Sequence, residues 1–288
     1  MSVLQVIILA VVQGLAELLP VSSSAHVVVV EKLMGLDPSS PPMTLLLVML
    51  HTGTMAAVIL YFWQGWRSTY FRSMSAFKEV VGKIIFATAF TGLVGEGIIK
   101  VIEKTLFRGV KDAKIEDLFG HLEVIAPALA LAGVLILLAG LYAERGSMST
   151  KESPALDIRQ AGLIGMVQGV CLPFRGFSRS GATISVGMLA GVPKSQAEAF
   201  SFALAVVLTP PVVAREVIRL VRTKPTDGTG DLLSAFAPSL LGAAFAFLAG
   251  LVALKWLSSW LEGGRWYLFG IYCLIAAAVV FALHRGGY

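Results

Sequence analysis

Six stretches of this chain, about residues 43–66, 80–103, 122–143, 196–221, 235–257 and 265–285, stay apolar over roughly the 20 residues that a helix needs to cross a 30 Å hydrocarbon layer. No other feature narrows the fold so far. Inside lipid every backbone N–H and C=O must be satisfied within the protein, so such runs fold as helices. The run 122–143 is the cleanest; 80–103 carries Glu96 within it. Composition agrees: 56% of the residues are apolar and 14% are charged, against roughly 25% charged in soluble domains, and the mean hydropathy is +0.80. A disordered chain, a collagen and an ordinary soluble two-domain enzyme are excluded. The expected class is an all-α polytopic membrane protein.

Lys and Arg number 23 and Asp and Glu 18, a net charge of +5. In a polytopic chain this excess orients the spans, and no nucleic acid is needed to explain it. The loop 67–83 carries Arg67, Arg72, Lys78 and Lys83 against Glu79, whereas 104–121 is nearly balanced. The first loop is therefore expected in the cytoplasm, with both termini outside it, although 215–234 is also rather basic. Cys171 and Cys273 form no CxxC spacing and no disulfide framework. The first 30 residues lack a basic region before the apolar run and do not read as a cleaved signal.

Two further apolar regions, 3–35 and 158–192, are each interrupted by a short polar segment around proline. The first break reads Glu17-Leu-Leu-Pro20-Val-Ser22-Ser23-Ser24-Ala-His26, and the second Pro173-Phe-Arg175-Gly-Phe-Ser178-Arg179-Ser180-Gly-Ala-Thr183. The arms on either side are too short to span but suit the halves of a re-entrant hairpin. A polar break at membrane depth is tolerated only where protein or a water-filled cavity surrounds it.

The two halves of the chain also match. Gln13-Gly14 pairs with Gln168-Gly169 at an offset of 155, and Ser22-Ser23-Ser24 with Ser178-Arg179-Ser180 at 156. Leu33-Met-Gly35-Leu matches Leu189-Ala-Gly191-Val at that same 156. Three further spans follow each hairpin, so residues 1–143 and 144–288 are expected to be repeats of one integral membrane unit. Three is odd, which inverts the second repeat and brings two broken helices together near the midplane.

Ionisable groups in lipid are costly and mark function. Glu17, His26 and Arg179 all lie in the breaks; Gln13 and Glu17 share a helix face at i, i+4. Serine or threonine before each new apolar arm marks a helix N-terminus. Two such termini facing one cavity present free N–H groups and positive dipole ends, and Arg179 adds a fork of donors. The inferred ligand is a phosphate-like anion with an apolar body. The plain alternative, that serines and proline only cap two helices, does not account for one carboxylate, one imidazole, one guanidinium and several hydroxyls in two related breaks. Other residues carry weaker signals. His51 and His121 read as interfacial, His284 lies near the tail, and Glu198 suits a helix N-terminus. Glu96 and Arg175 stay open between structural and functional roles.

At this point the sequence resembles a known family. Gln13-Gly-Leu-Ala-Glu17-Leu-Leu-Pro20-Val-Ser22-Ser23-Ser24-Ala-His26 is similar to the (E/Q)GxxExxPxSSxxH stretch of the bacterial undecaprenyl-diphosphate phosphatase family, also called the bacitracin-resistance family. Gly176-Phe-Ser178-Arg179-Ser180-Gly181-Ala-Thr183 resembles its second signature, GxSRSGxT, and Phe200-Ser201-Phe202 its FSF stretch. The resemblance runs in order over essentially the whole chain. It implies six transmembrane helices with two re-entrant helix pairs as inverted repeats, in the bacterial inner membrane, the site opening to the periplasmic side. It also implies hydrolysis of a long-chain polyprenyl diphosphate, undecaprenyl diphosphate, to the monophosphate lipid carrier of cell-wall synthesis. The essential acid falls on Glu17, the histidine on His26, the arginine on Arg179, the motif hydroxyls on Ser22, Ser23, Ser178, Ser180 and Thr183, and the first amide on Gln13. Arg175 and Ala25 depart from the usual proline and glycine, which touches local backbone geometry.

The expected chemistry is therefore phosphoanhydride hydrolysis. Arg179 and the helix N-termini clamp the diphosphate, with Gln13, Ser24, Ser178, Ser180 and Thr183 binding alongside. Glu17 holds a divalent cation, Mg²⁺ or Ca²⁺, and His26 acts as base or acid. The nucleophile is Ser22, Ser23 or a water. A lipid-phosphate or anion transporter of inverted-repeat architecture is the competing class, and a homodimer is left open.

Overall fold

The structure, a computed structural model, describes residues 1–38, 40–107, 115–145, 156–222, 230–261 and 265–288. Among these residues it is all helix, with no strand. The elements are α1 (Val3–Leu18), α2 (Ser23–Leu33), α3 (Pro41–Thr69), α4 (Met74–Leu106), a 3₁₀ turn (Ile115–Gly120), α5 (Leu122–Arg145), α6 (Ile158–Cys171), α7 (Arg179–Leu189), α8 (Lys194–Arg222), α9 (Gly230–Leu261) and α10 (Tyr267–Arg285). Six of them, Met43–Thr69, Met74–Leu106, Leu122–Glu144, Lys194–Arg215, Phe236–Lys255 and Tyr267–Arg285, are long and apolar enough to cross a membrane. The protein is a multi-pass membrane protein.

The second of these begins six residues before the expected 80–103 run. The Ser73 side chain accepts from the Ala76 amide at 3.1 Å and starts α4 there. The first turns carry Lys78 and Glu79, which hide the helix from a reading based on apolar length. The four remaining helices pair as α1–α2 and α6–α7. At 11 residues each, α2 and α7 measure ~16 Å, about half of the hydrocarbon thickness.

Partners cross between the halves of the chain: α1 packs on α9, α6 on α4, α5 on α10, and α3 on α8. Between lipid-embedded helices there is no water to drive association, so close van der Waals packing at small residues holds them together. A Cβ added to Gly14 would lie 2.5 Å from Ala249 Cβ, and one on Gly169 would lie 2.7 Å from the Thr91 carbonyl oxygen. These are the glycines of the matching Gln-Gly pairs. They set the hairpin arms against their partner helices and so fix where the breaks end up.

Candidate functional site

Pro20 cannot continue a helix and drives the residue before it out of the helical region. Accordingly Leu19 is extended (φ −83°, ψ 147°) and α1 stops at Leu18. The chain turns through Ser22 at φ 67°, the sole non-glycine residue with positive φ among those described. Backbone held this way is strained and clusters at functional sites. The Ser22 hydroxyl then accepts from the Ala25 amide at 3.4 Å and opens α2. In the second break the turn is made by Gly176 at φ +103°, where a Cβ would sit 2.6 Å from the Ile125 carbonyl oxygen. Ser178 caps α7 by accepting from the Gly181 amide at 3.2 Å.

The two tips touch. The Ser22 amide donates to Ser178 Oγ at 3.2 Å, so that oxygen serves an amide from each break. Ser180 Oγ donates to the Leu19 carbonyl at 3.4 Å.

Across this junction the charged groups meet. Glu17, in the last turn of α1 and 5% exposed, pairs through Oε1 with the Arg179 guanidinium at the start of α7. Its Oε2 accepts from Ser23 Oγ at 2.5 Å and from Gln13 Nε2 at 3.0 Å, and His51 Nε2 lies 3.3 Å away. Breaking such a buried pair by removing one partner costs about 3–5 kcal/mol, because a desolvated charge is left behind.

Of the residues expected at the site, the structure thus gathers Gln13, Glu17, Ser23 and Arg179 on one carboxylate, with Ser22, Ser178 and Ser180 in the turns that join the tips. Ser24 lies beside them, its Oγ 3.3 Å from Ser22 Oγ. Two residues face elsewhere. The His26 ring places Nδ1 2.8 Å from the Ser22 carbonyl and Nε2 2.7 Å from the Tyr272 hydroxyl. It stacks on the Tyr272 ring with centroids 5.7 Å apart. Among the described contacts none joins it to Glu17, Ser23 or Arg179, because both ring nitrogens are engaged toward its own turn and α10. Thr183 donates back to the Arg179 carbonyl at 2.8 Å and lies 2.6 Å from Ser201 Oγ, which ties α7 to α8.

His51, expected at the interface, is instead part of the site. Helix α3 begins at Pro41, so His51 lies ten residues, or ~15 Å, along it. An ionisable side chain at that depth in an apolar run was the available signal. Its other nitrogen, Nδ1, is 2.8 Å from the Leu47 carbonyl, which fixes the ring with Nε2 toward Glu17. Tyr272 had no signal of its own. His121 and His284 both meet Glu123, at 2.6 and 3.4 Å, Glu198 pairs with Lys194 at 3.7 Å, and Glu96 is exposed on α4.

Beside the ion pair lies a cavity of about 310 Å³. Ser24, His51, Gln168, Arg175 and Arg179 form its polar side, and Leu47, Met55, Leu172, Leu208 and Val212 its apolar side. Cationic donors next to an apolar wall suit an anionic head on a hydrocarbon body. A divalent cation on Glu17 fits less well. An ionised carboxylate offers about four lone-pair positions, and four donors already occupy this one. Among the described residues no three His, Cys, Asp or Glu side chains form a metal-holding group.

Comparison with known proteins matches residues 6–279 to the family model described as bacitracin resistance protein BacA. Undecaprenyl-diphosphatase 2 of Acinetobacter baylyi is 54% identical over 286 residues, covering 98% of each chain. Undecaprenyl-diphosphatase 1 of Burkholderia pseudomallei is 33% identical, over 96% of this chain and 95% of its own. The undecaprenyl-diphosphatase of Korarchaeum cryptofilum is 30% identical, over 98% of this chain and 100% of its own.

Proposed function

The chain belongs to the bacitracin resistance protein BacA family, and on that premise we propose that it hydrolyses undecaprenyl diphosphate to undecaprenyl phosphate and inorganic phosphate. The observation that carries this reading is the contact of Glu17 from one break with Arg179 from the other, at joined helix N-termini beside a cavity with an apolar wall. Phosphoryl transfer depends mainly on positioning and charge neutralisation, and those are what this arrangement offers.

The hairpins α1–α2 and α6–α7 are re-entrant, in inverted repeats 1–143 and 144–288, and hold the site at membrane depth. It opens toward the periplasmic face of the inner membrane, where the prenyl tail stays in lipid. Arg179 and the free amides of α2 and α7 receive the diphosphate oxygens, and the serine hydroxyls at the tips complete the cradle. Ser23 is the nucleophile: its Oγ attacks the terminal phosphorus while its proton passes to Glu17 Oε2. The bond to the bridging oxygen breaks, and undecaprenyl phosphate leaves. Water then hydrolyses the phosphoserine, and the leaving serine oxygen regains its proton. A water held at the same place would give direct displacement; trapping of a labelled phosphoserine separates the two.

His26 enters this scheme as a positioning residue that holds the first turn of α2 through the Ser22 carbonyl. His51 orients Glu17 from α3. Mg²⁺ or Ca²⁺ is the cation to supply; its charge would screen the diphosphate, and its oxygen ligands would come chiefly from the substrate and water.

The test is phosphate release from undecaprenyl diphosphate by the purified protein in detergent, with and without chelator. Release in detergent is expected. Movement of a lipid phosphate across vesicles with no phosphate released would return the transporter reading instead.

A further inference from the structure

Another cavity, of about 550 Å³, lies where the end of α3, the start of α4 and the start of α8 meet. Trp66 on its wall comes 15 residues after His51, ~22 Å along α3, so the cavity is remote from the Glu17–Arg179 pair. Arg72, Lys83, Ser195 and Gln196 form its polar side, and Phe62, Trp66 and Phe200 its apolar side. None of these residues enters the chemistry proposed above.

Its charges leave a positive excess. Lys83 Nζ donates to Glu79 Oε1 at 2.5 Å, and Arg72 acts on the same carboxylate electrostatically. Two cations thus share one anion, and an ammonium that has given one donor keeps two more. The third contribution comes from α8. The Pro193 carbonyl accepts from the Ala197 amide at 2.9 Å, so the Ser195 and Gln196 amides precede the first helical bond. Proline has no polar side chain with which to cap them, and an uncapped helix start favours an anion. Trp66 adds a separate sign. It is 7% exposed, stacks on Phe62 with centroids 5.7 Å apart, and its indole N–H has no acceptor among the described residues.

One apolar span ends at Thr69 and the next begins at Met74, which sets the cavity at the level of lipid head groups. Basic pockets between helix ends at that level receive anionic head groups. We propose that this cavity binds an anionic phospholipid. Arg72, Lys83 and the start of α8 hold its phosphate, and Phe62, Trp66 and Phe200 cover the glycerol and the upper acyl carbons. A free phosphate would leave the aromatic wall bare, and a zwitterionic lipid would bring an ammonium group toward Arg72. The inference is independent of the phosphatase reading and survives its failure.

The experiment titrates the delipidated full chain in detergent with phosphatidylglycerol and with phosphatidylcholine, and reads retained lipid by native mass spectrometry. One phosphatidylglycerol per chain is expected, at least tenfold tighter than phosphatidylcholine. Arg72→Gln is expected to weaken it about tenfold, the worth of one hydrogen bond to a charged group. Arg72 is exposed, so folding is not at stake. Arg67→Gln, an exposed cation of the same loop that does not line the cavity, should stay within about twofold. Equal losses in the two variants would show attraction to the loop as a whole and overturn the proposal, as would equal affinity for the two lipids. Gly65 also lines the cavity, and a Cβ there meets nothing within 4 Å. Gly65→Leu therefore adds bulk without touching a charge, and it too should weaken phosphatidylglycerol. Thermal unfolding supplies a second readout: phosphatidylglycerol should raise the Tm of wild type and not of Arg72→Gln. Inorganic phosphate that binds as tightly as the lipid would overturn the assignment to a phospholipid.

Discussion

The two hairpins share a frame and divide the chemistry. Each begins with a Gln-Gly pair on its first arm, breaks at a polar turn and restarts with a serine cap on an 11-residue helix. Yet Gln13 donates to Glu17 at 3.0 Å, whereas Gln168 donates to Thr91 on α4 at 3.2 Å. The acid is on the first hairpin and the guanidinium on the second. The turns differ as well: one is forced by Pro20 with Ser22 at positive φ, the other is made by Gly176. Two hairpins of similar build thus deliver two like-signed helix ends to one place, and the unlike side chains placed there turn it into a candidate site. Two copies of either hairpin alone would give a pair of acids or a pair of arginines.

The comparison breaks most visibly at the ion pair. Arg179→Ala and Glu17→Ala are each expected to lower kcat for phosphate release by ~10³-fold or more. The double variant should be little worse than either single one, because the pair acts as a unit. Thermal unfolding in detergent checks that the variants are folded. Next come the histidines, both on the first half. His51→Ala and His26→Ala are expected to lower kcat by ~10²-fold through misplacement of Glu17 and of the α2 turn. A conservative His51→Gln, which keeps a donor toward Glu17, should recover most of the loss, whereas Tyr272→Phe should reproduce part of the His26 defect.

Helix packing tests the shared frame. Gly14→Ala and Gly169→Ala should both destabilise, by about 1–3 kcal/mol, since each added methyl meets a partner helix. Matching losses in thermal unfolding would sharpen the two-fold relation, and a loss confined to one would break it. The smallest effect separates the amides. Gln13→Ala should cost about tenfold in kcat/KM for one lost bond to a charged group. Gln168→Ala is expected to stay within about threefold.

Much of the fold was legible because long apolar runs leave few options in lipid, and both breaks stood out through proline, glycine and serine. The start of α4 was hidden by its polar first turns, and only the Ser73 cap marks it. Glu17, Ser23 and Arg179 could be named from their place in the breaks. Which way His26 turns depends on Tyr272, 246 positions away, and no local spacing carries that. His51 already lay well inside the expected 43–66 span, and that Glu17 on another helix faces it is what no local spacing carries.

The oxygen of Ser178 that accepts amides from both tips has one more consequence. Prising the tips apart would strip that buried oxygen of a donor. The two breaks are thus fastened to each other at that oxygen, and the ion pair of Glu17 and Arg179 sits across that fastening.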